Sequence, residues 1–320
     1  MRPVLVTGAG GYLGRQFVPA LVEAGVTRVV ALDVRELPEA DRVPGVTYRV
    51  GDVRDAAIVD VLREHAVECV VHLAAIVTPP KGSTRELEHS IDVLGTRNVL
   101  QACIDAGVQQ LVVSSSGAAY GYHADNPVPL VESDALRGNP EFAYSDHKRQ
   151  VEEMLAVART DHPELRQLIF RPGAILGDTT SNQITNLFEQ RFVLGIAGTD
   201  APFTFVWDRD VVACLVQGVV RNAEGIYNLA GDGMTTMPEI ARRLGKRFVP
   251  VPAWVIRGAL TVAKPLKLSR YGPEQVDFLR YRPVLSNEKL KREFGYTPQL
   301  TSDEVFDRYA TARSGAEPRA

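Results

Sequence analysis

Apolar residues come in short bursts along the first half of the chain, separated by stretches in which they spread to helical spacing. Val4-Leu5-Val6, Val29-Val30-Ala31-Leu32, Val46 to Val50, Cys69 to Leu73, Leu111-Val112-Val113 and Gln167 to Phe170 are the bursts. Their length and β-branched content predict buried strands. Phe17, Leu21 and Val22 share one face of a helix after the first burst. Further helices are predicted over Ala56 to His65, Glu86 to Ala106 with Gly107 as the stop, and Tyr144 to Thr160. Strands and helices that alternate in this way predict a parallel sheet covered on both faces. Such a sheet takes its ligands at the carboxyl ends of its strands.

The pattern loosens after Pro172. Ala174 to Pro202 predicts a helix and a loop, Asp210 to Arg221 a helix, Ile226 to Leu229 a strand, and Met237 to Leu244 and Asn287 to Phe294 short helices. The expected division is a nucleotide-binding domain of residues 1–173 and 205–235, a smaller discontinuous lobe of 174–204 and 236–313, and a polar tail, 314–320.

The turn after the first strand is Gly8-Ala9-Gly10-Gly11-Tyr12-Leu13-Gly14. Glycines at the mouth of a helix let an anion approach the free N–H groups and the positive end of the dipole. The spacing Gly8-x-x-Gly11-x-x-Gly14 is close to that of dinucleotide-binding turns. Asp33, at the end of the second strand, follows Gly14 at about the separation expected of a ribose-binding acid. A carboxylate there repels a 2′-phosphate, so NAD is favoured over NADP, although Arg35 offers a guanidinium to that phosphate.

Composition narrows the classes. The 320 residues are 45% hydrophobic and 23% charged, with a formal net charge of −3. That is ordinary for a globular protein and gives no basic footprint for nucleic acid. Cys69, Cys103 and Cys214 are far apart and show no metal or redox spacing, so buried free thiols are expected, and no metal. No leader is expected before a strand that starts so early, and a cytoplasmic location without membrane attachment follows. The most membrane-like stretch, Ala253 to Leu268, is interrupted by Arg257, Lys264, Pro265 and Lys267.

Tyr144 and Lys148 are four apart on a predicted helix and therefore share a face. A nearby ammonium lowers a phenol's pKa, and a phenol so tuned exchanges protons near neutral pH. Ser114-Ser115-Ser116 ends the fifth strand, where a hydroxyl can hold a substrate oxygen.

Together these features resemble the short-chain dehydrogenase/reductase superfamily in its extended, NAD-dependent epimerase/dehydratase form. Thr7 to Gly14 is similar to its TGxxGxxG turn, Asp52-Val53 to its adenine-contacting pair, and His72-Leu73-Ala74-Ala75 to its HLAA motif. Ser114 to Gly121 resembles SSSxxxYG, Tyr144 and Lys148 fill YxxxK, Arg171-Pro172-Gly173 resembles the nicotinamide-contacting stretch, and Phe205 to Val211 resembles FVHVxDV. The resemblance implies a Rossmann-type doubly wound sheet with a smaller C-terminal substrate lobe. It implies that Ser116, Tyr144 and Lys148 are catalytic. It assigns NAD to Gly8, Gly11, Tyr12, Leu13, Gly14, Asp33, Arg35, Asp52, Val53, Leu73, Ala74, Ala75 and Pro172, besides Tyr144 and Lys148. A small-molecule substrate and a homodimer are expected.

Within that family the reaction stays open among three types. Dehydratases carry an Asp-Glu pair after the catalytic hydroxyl residue; here Gly117 and Ala118 stand there, so dehydration is disfavoured. Nucleotide-sugar enzymes usually have a diphosphate-contacting asparagine where this chain has Ala174, and an asparagine where it has Asp92. Arg280 and Arg282 are candidates for diphosphate contacts, with solvated surface residues as the alternative. Trp254-Val255-Ile256 and Ala259-Leu260 are read as packing of the lobe, with a hydrophobic substrate surface as the alternative. The sequence leans narrowly to a nucleotide-sugar epimerase, with a hydroxysteroid- or flavonol-reductase-like dehydrogenase close behind. An NAD-sensing regulator without turnover is a third class, which the intact Ser116, Tyr144 and Lys148 argue against.

Overall fold

A computed structural model describes residues 2–314 except 81, 265, 267–271 and 274. In chain order its elements are β1 (Val4–Thr7), α1 (Tyr12–Glu23), β2 (Val29–Asp33), β3 (Thr47–Val50), α2 (Ile58–Glu64), β4 (Cys69–His72), α3 (Arg85–His89), α4 (Thr96–Ala106), β5 (Gln110–Ser114), α5 (Ala143–Asp161) and β6 (Arg166–Pro172). There follow β7 (Ala174–Leu176), α6 (Thr185–Glu189), β8 (Val193–Ile196), β9 (Phe205–Trp207), α7 (Asp208–Val220), β10 (Gly225–Leu229), α8 (Met237–Arg243), β11 (Phe248–Val251), α9 (Ala253–Ala263), α10 (Gln275–Arg280) and α11 (Ser302–Ser314).

The main sheet has seven strands in the order β10-β6-β5-β4-β1-β2-β3. β1 pairs in parallel with β2 and β4, β2 with β3, β4 with β5, and β5 with β6. The order runs outward in both directions from β1 and β4, which is the doubly wound arrangement, and its switch point lies there. β1, β2 and β4 are buried at every position, as their unbroken apolar runs require.

The chain forms two compact units. One comprises Met1–Ala119, His147–Arg171 and Asp208–Tyr227, the other Tyr120–Asp146, Pro172–Trp207 and Asn228–Ala320. The first unit's core joins Leu5 and Val70 of the sheet to Ile58 and Leu62 of α2, Val99 and Cys103 of α4, and Val151 and Leu155 of α5. Burying each large aliphatic side chain contributes roughly 1.5–3 kcal/mol. The second unit is built on an aromatic cluster in which Phe188 meets Phe203, Phe205 and Phe306 edge-on and Phe203 stacks on Phe205 at 5.3 Å.

The helix expected over Glu86 to Ala106 is continuous but carries a π-helical turn within it. α3 gives way to a π-helical turn, Ser90–Gly95, before α4, which ends on Gly107 in the left-handed region at φ +71°. Between Ala174 and Pro202 two short parallel strands, β7 and β8, join the predicted helix; β7 pairs with β9 and β8 with β11. Strands this short carry too few positions to show a period. α9 overturns another expectation. None of its residues is fully buried and Trp254 is 76% exposed, so Trp254-Val255-Ile256 does not pack a core. Pro265 and Lys267, and the tail from 315, lie outside the described residues. The three cysteines are buried free thiols, and burial pushes the Cys69 thiol up to about 12. Among the described residues no helix is long and apolar enough to cross a membrane, and no cluster of side chains has the makings of a metal site.

Candidate functional site

The glycine turn makes the first unit's site. Gly8 has φ +68°, and a Cβ there would stand 2.7 Å from the backbone nitrogen of Ala74. Glycine is needed for both the dihedral and the approach. A Cβ on Gly14 would collide with the carbonyl oxygen of Gly8. Gly11 is the N-cap of α1, with no side-chain cap and no acidic residue in the first turn. The helix therefore presents uncapped N–H groups at its positive end, and no carboxylate of its own competes for them. That arrangement fits a dinucleotide's pyrophosphate.

Asp33 ends β2. Its Oδ2 accepts from the Gly10 N–H at 2.9 Å and its Oδ1 from the Arg35 N–H at 3.1 Å. Arg35 itself is exposed. Tyr12 donates to Asp208 at 2.6 Å, while Leu13 is half-buried. Asp52 is held by the Arg54 guanidinium, which keeps its carboxyl below the usual range. Val53 is buried, and a Cβ on Gly95 would stand 2.7 Å from its Cγ2. Leu73, Ala74 and Ala75 leave β4 half-buried beside the glycine turn.

A directed chain of hydrogen bonds runs under this turn. The Thr96 hydroxyl donates to the Asp92 carbonyl at 2.5 Å. It then accepts from His72 Nε2 at 2.9 Å, and His72 Nδ1 accepts from the Thr7 hydroxyl at 2.8 Å. The network assigns that tautomer. Burial, with a smaller contribution from Lys148, pulls the His72 pKa down to about 3, so the ring is neutral.

Ser116 lies after β5, where its hydroxyl accepts from the Ala118 N–H at 3.1 Å and its carbonyl from the Ala119 N–H at 3.0 Å. The preceding Ser115 donates to Glu152 at 2.5 Å, and Glu152 takes a forked pair from Arg171 at 2.6 and 2.9 Å. This buried group ties the serine segment to α5 and β6. Lys148, on α5, is buried and donates to the Ser114 carbonyl at 2.9 Å. Burial lowers its pKa, opposed by Asp92 and Glu152. Tyr144 stands one turn before Lys148 on the same helix.

Of the remaining candidates, Gly117 belongs to the first unit and the others to the second. Pro172 and Gly117 are buried, and Ala174 is half-buried with its N–H on the Thr204 carbonyl at 2.9 Å. Arg282 is 8% exposed, which removes the solvated reading. Its guanidinium carbon lies 4.0 Å from the centre of the Phe203 ring and 4.2 Å from that of Phe278. Nε and Nη2 are buried with no hydrogen-bond partner, and among the described residues no carboxylate pairs with it. Burial pushes its pKa down to about 10. Tyr122, Phe142 and Phe278 form an aromatic triad with centres 4.9 to 5.5 Å apart. Arg280 is half-buried and lies over the Tyr281 ring at 4.8 Å.

Sequence reasoning missed the Thr7–His72–Thr96 chain, the Ser115–Glu152–Arg171 group, and the buried pairing of Asp92 Oδ2 with His147 Nδ1 at 3.3 Å. One signal was available: Glu152 follows Lys148 by four residues and so shares its face of α5.

The model of the NAD dependent epimerase/dehydratase family matches residues 4–230. An uncharacterized protein of Mycobacterium tuberculosis is 25% identical over 97% of this chain and 84% of its own length. A UDP-glucose 4-epimerase of Azospirillum brasilense is 33% identical over 172 residues, 52% of this chain and 47% of that one. The solved UDP-glucose 4-epimerase of Thermus thermophilus, in complex with NAD, superposes with a TM-score of 0.73 at 25% identity, covering 98% of this chain and 100% of that chain.

Proposed function

The chain belongs to the NAD dependent epimerase/dehydratase family, and on that premise we propose that it is a nucleotide-sugar epimerase acting at a secondary alcohol through Ser116, Tyr144 and Lys148. The observation that carries this reading is Arg282. A buried guanidinium without a carboxylate partner is costly to keep, and an anionic substrate supplies the missing charge. A sugar diphosphate has that charge.

Bound NAD would supply the hydride-accepting and hydride-donating chemistry that epimerisation through a ketone requires. The uncapped start of α1 and the glycine turn suit its pyrophosphate, and Asp33 suits its ribose. Tyr144 accepts the hydroxyl proton as the alcohol is oxidised and gives it back on reduction. Lys148 favours the phenolate that accepts it. Ser116 donates a hydrogen bond to the substrate oxygen and keeps it against the phenol.

Ala174 favours a second reading, because it removes a diphosphate contact. With the Tyr122, Phe142 and Phe278 triad, it suits a hydrophobic alcohol oxidised by a dehydrogenase that releases product.

One experiment separates the two. The protein is incubated with NAD and UDP-glucose or UDP-galactose, and separately with NAD and steroid or flavonol-type alcohols. Sugar configuration and NADH absorbance are followed. Interconverted sugar without net NADH is expected. Stoichiometric NADH from a hydrophobic alcohol, with no sugar interconversion, would replace this reading with the second.

A further inference from the structure

α9 turns its apolar residues outward. Ala253, Ile256, Leu260 and Ala263 recur at helical spacing and are half-buried, which marks the side that meets the rest of the second unit. Val255, Ala259 and Val262 recur at the same spacing on another side and are exposed, Val262 by 61%. Trp254 at the start of the helix and Leu266 just past its end are 76% and 62% exposed. A stripe of this kind, with no polar residue in it, is not ordinary surface.

The charge around the stripe is one-sided. Between Glu239 and Glu274 the chain carries eight arginines and lysines and no aspartate or glutamate, although its formal net charge is −3. Arg243 is matched by Asp303 and Asp307, and Arg257 by Asp277, which leaves the surplus positive. Arg257 and Lys264 stand two turns apart along one flank of α9, and both are exposed.

We propose that α9 docks on an anionic lipid surface, with Val255, Val262 and Trp254 entering the headgroup layer and the basic segment around them meeting the lipid phosphates. Apolar residues and a tryptophan on one side, with cations beside them, are what an interfacial helix needs. Eleven residues rise only about 16 Å, roughly half of a bilayer's hydrocarbon core, so α9 lies along the surface and does not cross it. The expectation of no membrane attachment rested on the missing spanning run and does not reach this case. Charge decides against a second copy as the occupant, since a two-fold contact through α9 would press two positive segments together.

Vesicle sedimentation with tryptophan fluorescence tests this on the whole protein. Vesicles of equal parts phosphatidylglycerol and phosphatidylcholine are expected to bind it at least about tenfold more tightly than phosphatidylcholine alone, because each cation near an anionic surface is worth about fivefold. The emission should shift to the blue on binding. Trp207 is 9% exposed, so the shift belongs to Trp254, and Trp254→Phe should lose it. Val255→Ser with Val262→Ser changes no charge and should weaken binding at least about tenfold at an unchanged thermal midpoint. No sedimentation with anionic vesicles would overturn the proposal. So would binding without the shift, or binding undiminished in the double serine variant, because another surface would then be responsible. A dimer that the double serine variant dissociates, without vesicle binding, would give the face to a second copy. The experiment involves neither NAD nor sugar, so a wrong assignment of the reaction leaves its result intact.

Discussion

The carboxylate of Asp33 accepts the backbone N–H of Gly10 at 2.9 Å, so the end of β2 and the glycine turn after β1 are fixed to one another. A dinucleotide's ribose and pyrophosphate would meet parts of the chain that are already in register. Pre-set contacts of this kind spare a ligand the cost of ordering its site.

The same carboxylate sets a cofactor preference. NAD should bind at least about tenfold more tightly than NADP, because one like-charge contact of roughly 1.4 kcal/mol gives that ratio. Asp33→Asn should narrow the gap. Calorimetric titration of both cofactors checks this, and equal affinity in the wild type would mean that Arg35 governs the choice.

Tyr144→Phe removes one hydroxyl and keeps the ring. Turnover should drop by roughly 10²–10⁴-fold, the usual weight of a general acid–base group, while NAD affinity changes little. Steady-state rates with NAD titrations measure both, and a variant retaining more than about a tenth of activity would remove Tyr144 from that role.

Arg282→Met should weaken binding of a UDP-sugar by roughly ten- to a hundredfold, the worth of a charged hydrogen bond of about 1.5–3 kcal/mol. NAD affinity should stay the same. Thermal stability should hold or rise, because an uncompensated buried charge is lost to a side chain of similar length. A fall in stability with unchanged sugar binding would count Arg282 as a packing residue only.

His72 makes stability depend on pH. Its folded pKa, about 3, is depressed below the ordinary 6.5. The unfolded chain therefore binds a proton that the folded one refuses. The stabilisation is complete above pH 6.5 and is lost as pH falls through the window down to about 3. The slope is at most about 1.4 kcal/mol per pH unit. Denaturant melts of wild type and His72→Asn between pH 7 and 4 should differ in slope, with the variant flatter; parallel curves would contradict a neutral buried ring.

The middle of the central sheet was legible because β1, β2 and β4 are buried on both faces and so write short, mainly apolar runs, whereas the edge strand β3 is largely exposed. The glycine turn was legible because its dihedral and its close approach to Ala74 leave no room for a side chain, while Asp33 was singled out by its separation from Gly14. What escaped depended on distant partners. Asp92 was noticeable only as a departure from a motif, and its meaning needed His147, 55 residues away. Arg282 read equally well as a solvated cation until Phe203, 79 positions earlier, was found beneath it. The exposed face of α9 escaped because composition reports that Trp254 is apolar but not which way it faces.

The π-turn at Ser90–Gly95 has a bearing on which insertions and deletions this chain can survive. It holds an extra residue relative to a regular α-helix, so removing any one residue there would restore the ordinary repeat. Each residue of an α-helix advances by about 100°. Everything beyond the deletion would then turn by about that angle relative to α3. Asp92 would leave the Ile76 N–H that its Oδ1 accepts or Thr96 would leave His72, depending on which side of the cut stayed in place. Gly95 would also leave the position where the chain passes Val53 without a Cβ. α9 has less to lose, since none of its residues is fully buried and its Arg257 pairs with Asp277 at an exposed site, so single-residue length changes there should be tolerated better.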